Sequence, residues 1–110
     1  MLAFFFLQVA ASDPIVVTGT PRPQALFSGS DYPREALRHG WQGNVTVDMT
    51  VGIQGRVTGC TIIESSGHKV LDETTCKIVT DRARFLPARD SAGNAVESHY
   101  QTHINWRLSN

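Results

Sequence analysis

Residues 43 to 65 carry two neighbouring segments in which apolar and polar side chains alternate. In the first segment, Gly43 to Ile53, the apolar positions are Val45, Val47, Met49, Val51 and Ile53. A period of two residues places these side chains on one face of a β-strand and the polar ones on the other. Turn residues at 52–55 separate this segment from a β-branched one, Val57 to Ser65. The pair predicts an antiparallel hairpin with one buried face.

Helical patterns lie on both sides of the hairpin. Asp31 as a candidate cap, Pro33 near the first helical position and Gly40 at the end predict a short helix of about two turns. After the hairpin, residues 69–84 change period and predict an amphipathic helix of roughly 12 to 14 residues. The side chains expected on its buried face are Val70, Leu71, Thr74, Cys76, Ile78 and Val79.

The chain then returns to a period of two. A loop is expected through residues 90–94, followed by a last strand from Glu97 to Leu108. The order α-β-β-α-β predicts an α+β domain over residues 31–110, in which a three-stranded antiparallel sheet carries both helices on one face. A chain of 110 residues has room for one such core.

The N-terminal residues 1–12, MLAFFFLQVAAS, are apolar and end in small residues, as in a secretory signal peptide. The run is shorter than the roughly 20 apolar residues of a membrane span. The alternative, an apolar first strand, is less favoured because Asp13-Pro14 interrupts the run. Residues 13–30 contain three prolines and end in Ser-Gly-Ser, which predicts an extended tether. We therefore expect an exported protein.

The two cysteines fit that destination. Cys60 shares a strand face with Ile62, and Cys76 lies in the middle of the predicted helix, so a bridge across the core is geometrically reasonable. In the chain-entropy model such a bridge stabilises the fold by about 3 kcal/mol. A redox-active pair is the alternative, but no helix N-terminus lies nearby to lower a thiol pKa.

Charge and motif content exclude several classes of function. Ten lysines and arginines balance ten aspartates and glutamates, which leaves no basic field for nucleic acid or an anionic membrane surface. His99 and His103 would lie about 13 Å apart on a strand, too far to share one metal ion. The chain has no Gly-x-Ser-x-Gly and no glycine-rich phosphate loop. We expect no enzyme activity, cofactor or metal.

Several short motifs over residues 31–108 together resemble the C-terminal domain of TonB energy transducers. They are Tyr32-Pro33 with Ala36, Gly43-x-Val45-x-Val47, Gly55-Arg56-Val57, Leu71-Asp72 and Arg84-Phe85-x-Pro87-Ala88. The family's usual tryptophan before the Arg-Phe-x-Pro stretch is absent. The resemblance implies a periplasmic domain that binds the TonB box, an extended segment near the N-terminus of outer-membrane receptors for iron chelates and other nutrients. Membrane contact is expected only through an anchor, if one lies upstream.

The last strand is the expected site of binding. An extended peptide that adds to a sheet edge gains main-chain hydrogen bonds of about 0.5 to 1.5 kcal/mol each, and the resemblance points to the same strand. The predicted contact residues are Tyr100, Gln101, Thr102, His103, Ile104, Asn105 and Trp106. The alternative is an edge that is merely solvated and protected.

The tether itself contains a segment that resembles a TonB box. Its β-prone residues are Ile15, Val16, Val17 and Thr18. A chance β-branched run after a cleavage site is the alternative. This resemblance gives a second hypothesis: a self-contained regulatory or structural periplasmic protein whose edge strand is masked by its own residues 13–19, or a homodimer formed by strand exchange.

Overall fold

The structure, a computed structural model, describes residues 23–108. Two helices, α1 and α2, span Arg34–His39 and Lys69–Arg82, and two short 3₁₀ turns, Pro23–Leu26 and Gly29–Asp31, precede them. The strands are β1 Gly43–Val51, β2 Val57–Glu64, β3 Ala88–Arg89, β4 Ala95–Val96 and β5 Ser98–Trp106. The predicted signal-peptide-like and box-like segments lie outside the described residues. Within residues 23–108, none of the helices has the length and apolar character needed to cross a membrane.

Three strands form the main antiparallel sheet, in the order β2-β1-β5. β1 and β5 pair continuously from Gly43 opposite Trp106 to Val51 opposite Ser98. The β1–β2 pairing, by contrast, has irregularities at Thr46/Val47 and Thr50/Val51. The predicted α+β class and three-stranded sheet are confirmed, and β5 lies at an edge of the sheet.

The core lies on the face of the sheet that carries the helices. Val45, Val47 and Met49 of β1 are fully buried, as the alternation predicts. They pack in one cluster with side chains from both helices, including Ala36 of α1 and Leu71 of α2. Burial of these apolar side chains, at about 25 cal/mol per Å², is the main source of stability.

The predicted disulfide is confirmed. Cys60 of β2 is bonded to Cys76 of α2, with 5.7 Å between their Cα atoms. The bond joins the edge strand β2 to the helix that covers the sheet, so it fixes the two layers of the fold to each other.

Gly55 is required by the turn between β1 and β2. Its φ of +83° lies in the left-handed region, and a Cβ atom there would stand 1.9 Å from the carbonyl oxygen of Phe85. The same close approach lets the Phe85 N–H donate to the Gly55 oxygen at 2.8 Å. Phe85, three residues after the end of α2, is thereby fixed to the hairpin turn, and only glycine permits this contact.

Asp31 does not cap α1, so that part of the sequence prediction is wrong. The helix begins at Arg34 after Pro33, which makes no side-chain capping hydrogen bond. The Asp31 carboxylate instead accepts a hydrogen bond from the Ser28 N–H at 2.8 Å and two from Arg82. The Asp31 carboxylate therefore binds the guanidinium of Arg82, 51 residues away in the chain, instead of capping the helix.

Two further details differ from the prediction. The expected loop at 90–94 is present, but it is the turn of a small hairpin whose strands, β3 and β4, were not predicted; the Asp90 carboxylate accepts hydrogen bonds from the N–H groups of Ala92 and Asn94. Strands of two residues are too short to show a period. On α2, Thr75 rather than Thr74 is fully buried.

Candidate functional site: the outer edge of β5

The outer edge of β5 presents main-chain hydrogen-bonding groups on every second residue. Asn105 shows that its main-chain groups point away from β1, because both its N–H and its carbonyl oxygen form hydrogen bonds with the side chain of Gln24, outside the sheet. The β1–β5 ladder has no register shift, so the main-chain groups of His99, Gln101 and His103 point the same way. Among the described strands, none pairs with this edge.

The side chains of the same residues lie on the exposed face of the sheet. His103 Nδ1 lies 2.8 Å from Thr46 Oγ1, and that hydroxyl donates its hydrogen to Glu64 at 3.0 Å. His103 must therefore donate through Nδ1, since the single hydroxyl hydrogen is already used. His99 Nδ1 lies 3.2 Å from the Asp48 carboxylate. These cross-strand contacts hold both imidazoles over the sheet face.

The two histidines do not form a metal site with their neighbours. Within residues 23–108, no three histidine, cysteine, aspartate or glutamate side chains lie close enough together to hold a metal ion. The chemistry that this surface offers is hydrogen bonding.

Ile104 and Trp106 lie beneath the edge. Both were included in the predicted contact stretch, yet both side chains are buried, and their pairing places their main-chain groups toward β1. The Trp106 indole N–H donates to Thr75 Oγ1 at 2.8 Å, and that hydroxyl donates to the Leu71 oxygen at 2.8 Å. Trp106 therefore anchors the end of β5 to α2. Tyr100 and Thr102 are half-buried on the same face.

Two aromatic side chains from the preceding segment complete this anchor. The rings of Phe27 and Tyr32 meet Trp106 edge to face, with centroids 5.4 Å and 5.2 Å away. The Tyr32 hydroxyl donates to the Trp41 carbonyl oxygen, and burial raises the pKa of Tyr32. The segment before α1 is thus packed against the C-terminal end of β5.

An ion pair fixes that segment from the other side. The Arg82 guanidinium donates to both carboxylate oxygens of Asp31, at 2.8 and 2.9 Å, and to the Leu26 carbonyl oxygen at 2.9 Å. These hydrogen bonds from Arg82, together with the one from the Ser28 N–H, hold the pKa of Asp31 well below its usual range. Residues 26–31 are therefore tied to the end of α2.

Gln24 is the residue at the edge that the sequence analysis missed. Its side-chain amide makes both hydrogen bonds to the main chain of Asn105, 81 residues away. A single glutamine in a tether without any period gives no signal for such a contact. The sequence placed residues 13–30 in an unpacked segment, whereas Gln24 and the residues after it pack against the domain.

Comparisons with known proteins agree with this geometry. The family described as Gram-negative bacterial TonB protein C-terminal matches residues 28–108. Protein tonB2 of Pseudomonas aeruginosa is 36% identical over 59 residues, which are 54% of this chain and 22% of that protein. This match therefore covers only about a fifth of that relative's length.

Solved structures agree on the fold. The solution structure of the Pseudomonas aeruginosa TonB C-terminal domain aligns with a TM-score of 0.59 and 25% identity, over 72% of this chain and 78% of that one. A Helicobacter pylori TonB C-terminal domain aligns with a TM-score of 0.56 and 19% identity, over 80% and 78% of the two chains. Since the family match covers most of the chain, the protein belongs to the family of Gram-negative bacterial TonB C-terminal domains.

Proposed function

We propose that this domain binds an extended segment of an outer-membrane TonB-dependent receptor by accepting it as a fourth strand beside β5, in support of nutrient uptake. Membership of the family gives the coarser statement: its domains are periplasmic and non-enzymatic, and they interact with such receptors. The finer proposal is supported by one observation, the outward-facing main-chain groups of His99, Gln101 and His103.

The sheet has a second edge at β2, but β5 is the better acceptor. An incoming strand needs a regular row of donors and acceptors, and β5 pairs with β1 over its whole length without a register shift. The irregularities between β1 and β2 twist and interrupt the other ladder, which is how natural sheets protect an edge against addition.

The interaction is expected to be modest in strength. Three outward-facing residues offer six main-chain groups, and each hydrogen bond contributes about 0.5 to 1.5 kcal/mol. Association and the ordering of an extended peptide oppose this gain. The exposed side chains of Gln101 and His103, beside half-buried Tyr100 and Thr102, are placed to contact alternate side chains of the added strand.

A peptide titration followed by NMR tests the proposal. A synthetic peptide copying residues 13–19 serves as the probe, since it resembles a receptor box. We expect the largest amide shifts at His99, Gln101 and His103. Gln101→Pro removes one outward-facing N–H, which makes no hydrogen bond to β1, and should weaken binding about two- to tenfold. Gln101→Ala is the matched control: it also loses the glutamine side chain but keeps the main-chain N–H, so it should bind more tightly than Gln101→Pro.

Two outcomes would count against strand addition at β5. One is a set of shifts centred on β2 rather than β5. The other is equal affinity of Gln101→Pro and Gln101→Ala, because a site that uses main-chain hydrogen bonds must distinguish a proline from an alanine.

The protein's own box-like segment is a second candidate occupant, and one observation favours it. Gln24 is fixed at Asn105, and Thr18 lies six positions before it in the chain. Six residues of extended chain reach about 20 Å, the length of strand from Asn105 to His99. Residues 15–18 can therefore reach the edge. If this segment masks the edge, deletion of residues 13–19 should raise the apparent affinity of the peptide for the domain. If the segment forms a strand-exchanged dimer, the deletion should convert the dimer to a monomer. An unchanged affinity together with an unchanged molecular mass in solution refutes self-masking.

A further inference from the structure

The side-chain amide of Gln24 contacts Asn105 in the manner of a neighbouring strand. Gln24 Oε1 accepts the Asn105 N–H at 2.8 Å, and Gln24 Nε2 donates to the Asn105 oxygen at 3.4 Å. A primary carboxamide carries the same donor and acceptor as a peptide group. Two residues that exchange both N–H···O bonds are the repeating unit of an antiparallel ladder. One side chain thus replaces one residue of a fourth strand.

From this contact we propose that Gln24 is an edge cap: it closes the β5 edge at Asn105 and sets the point at which an added strand must stop. The second half of the proposal rests on the proposed function, whereas the first half concerns the domain alone. The residues left open to a partner are then His99, Gln101 and His103.

The backbone around Gln24 is held in place by contacts that do not depend on its side chain. The Phe27 N–H donates to the Gln24 carbonyl oxygen at 3.2 Å. Phe27 itself packs on Trp106, and Arg82 binds the Leu26 oxygen. Because other contacts already fix this turn, placing the amide at Asn105 costs the rotamer freedom of the Gln24 side chain but little further backbone freedom.

An incoming strand cannot share the Asn105 position with this amide. Extending a fourth strand to Asn105 requires both Gln24 hydrogen bonds to break, and the aromatic packing of Phe27 lies directly beyond. Each outward-facing residue of β5 forms a hydrogen-bonded pair with one residue of an added strand, and such pairs recur every second residue. The edge cap therefore favours short extended partners, and removing it lengthens the usable edge by one such step.

Hydrogen exchange of the free protein tests the cap without any partner. In Gln24→Ala the Asn105 amide should exchange about fivefold faster or more, whereas the Ile104 and Trp106 amides, which face β1, should be unchanged. Gln24→Glu has nearly the same shape and keeps an acceptor for the Asn105 N–H. In this variant the exchange rate of the Asn105 amide should lie between the rates in the parent protein and in Gln24→Ala. An Asn105 rate in Gln24→Ala equal to that of the parent protein overturns the proposal.

Peptide binding then tests the stop. Two synthetic probes copy residues 13–18 and 13–20. Gln24→Ala should bind the longer peptide more tightly than the parent protein does, and the shorter peptide equally well. If parent and variant bind the longer peptide with equal affinity, and the Asn105 amide resonance shifts in both complexes, then Gln24 does not set the point at which an added strand stops. If neither peptide binds either protein while Asn105 exchange is accelerated, the proposed strand addition fails and the edge cap stands.

Discussion

The hydroxyl of Thr75 should contribute strongly to the stability of this domain. Thr75 is fully buried on α2, accepts a hydrogen bond from the Trp106 indole at 2.8 Å and donates one to the Leu71 oxygen. Thr75→Val keeps the shape of the side chain and removes the oxygen, so the indole N–H of a residue only 3% exposed is left unpaired. An unsatisfied buried donor costs about 1 to 3 kcal/mol, and we expect a loss of unfolding free energy in that range.

Urea unfolding followed by far-UV circular dichroism measures this loss, with an unchanged dependence on denaturant as the sign that only stability has changed. Thr75→Ser is the matched control, since it keeps the hydroxyl and removes one methyl group, worth about 0.8 kcal/mol. In a Trp106→Phe background, which has no indole N–H, Thr75→Val should cost less by about 1 kcal/mol. A loss below about 0.5 kcal/mol, or the same loss in both backgrounds, would refute the role of this hydrogen bond.

Two further predictions concern the disulfide and acid stability. Cys60→Ser combined with Cys76→Ser opens a bridge between residues 16 apart in the chain and should lower the unfolding free energy by about 3 kcal/mol; equal stability of this variant and the oxidised protein in urea would contradict that expectation. Burial alone would raise the pKa of Asp72, but hydrogen bonds from Ser65 and Ser66 outweigh it and the net pKa is lowered. Its contribution is therefore present above the ordinary carboxyl pKa and is lost as the pH falls through the lowered value, so Asp72→Asn should flatten the acid limb of a stability profile, and an unaltered limb would count against this role.

The parts of the fold that the sequence predicts are those set by local alternation. Val45, Val47 and Met49 are buried because successive side chains of a strand point to opposite faces of the sheet, so every second residue lies on the core face. The same logic placed Cys60 on the inner face of β2, which left Cys76 as its only partner. These features depend on residues close together in the chain, so the alternation of apolar and polar residues predicts them directly.

The details that the sequence does not predict depend on contacts between distant residues. Asp31 fits a helix cap by its local pattern, but the guanidinium of Arg82 competes for it. A buried threonine hydroxyl needs a partner, and Thr75 finds one in the indole of Trp106, 31 residues away. The buried residues of α2, Leu71, Thr75, Ile78 and Val79, follow the i, i+4, i+7, i+8 spacing of one helix face, so the period itself places Thr75 inside that face and only its polar side chain argued against it.

The β5 edge combines both situations. When two consecutive strands form a hairpin, a third strand can pair only outside them, so β5 must lie at an edge whichever neighbour it takes. The edge therefore follows from strand order alone, and the sequence predicts it. The strand order does not show what covers the edge, because Gln24 reaches Asn105 across 81 residues, from a segment whose Phe27 and Tyr32 pack on Trp106. The length of edge open to a partner is thus a tertiary property, set by the segment that precedes the domain rather than by β5 itself.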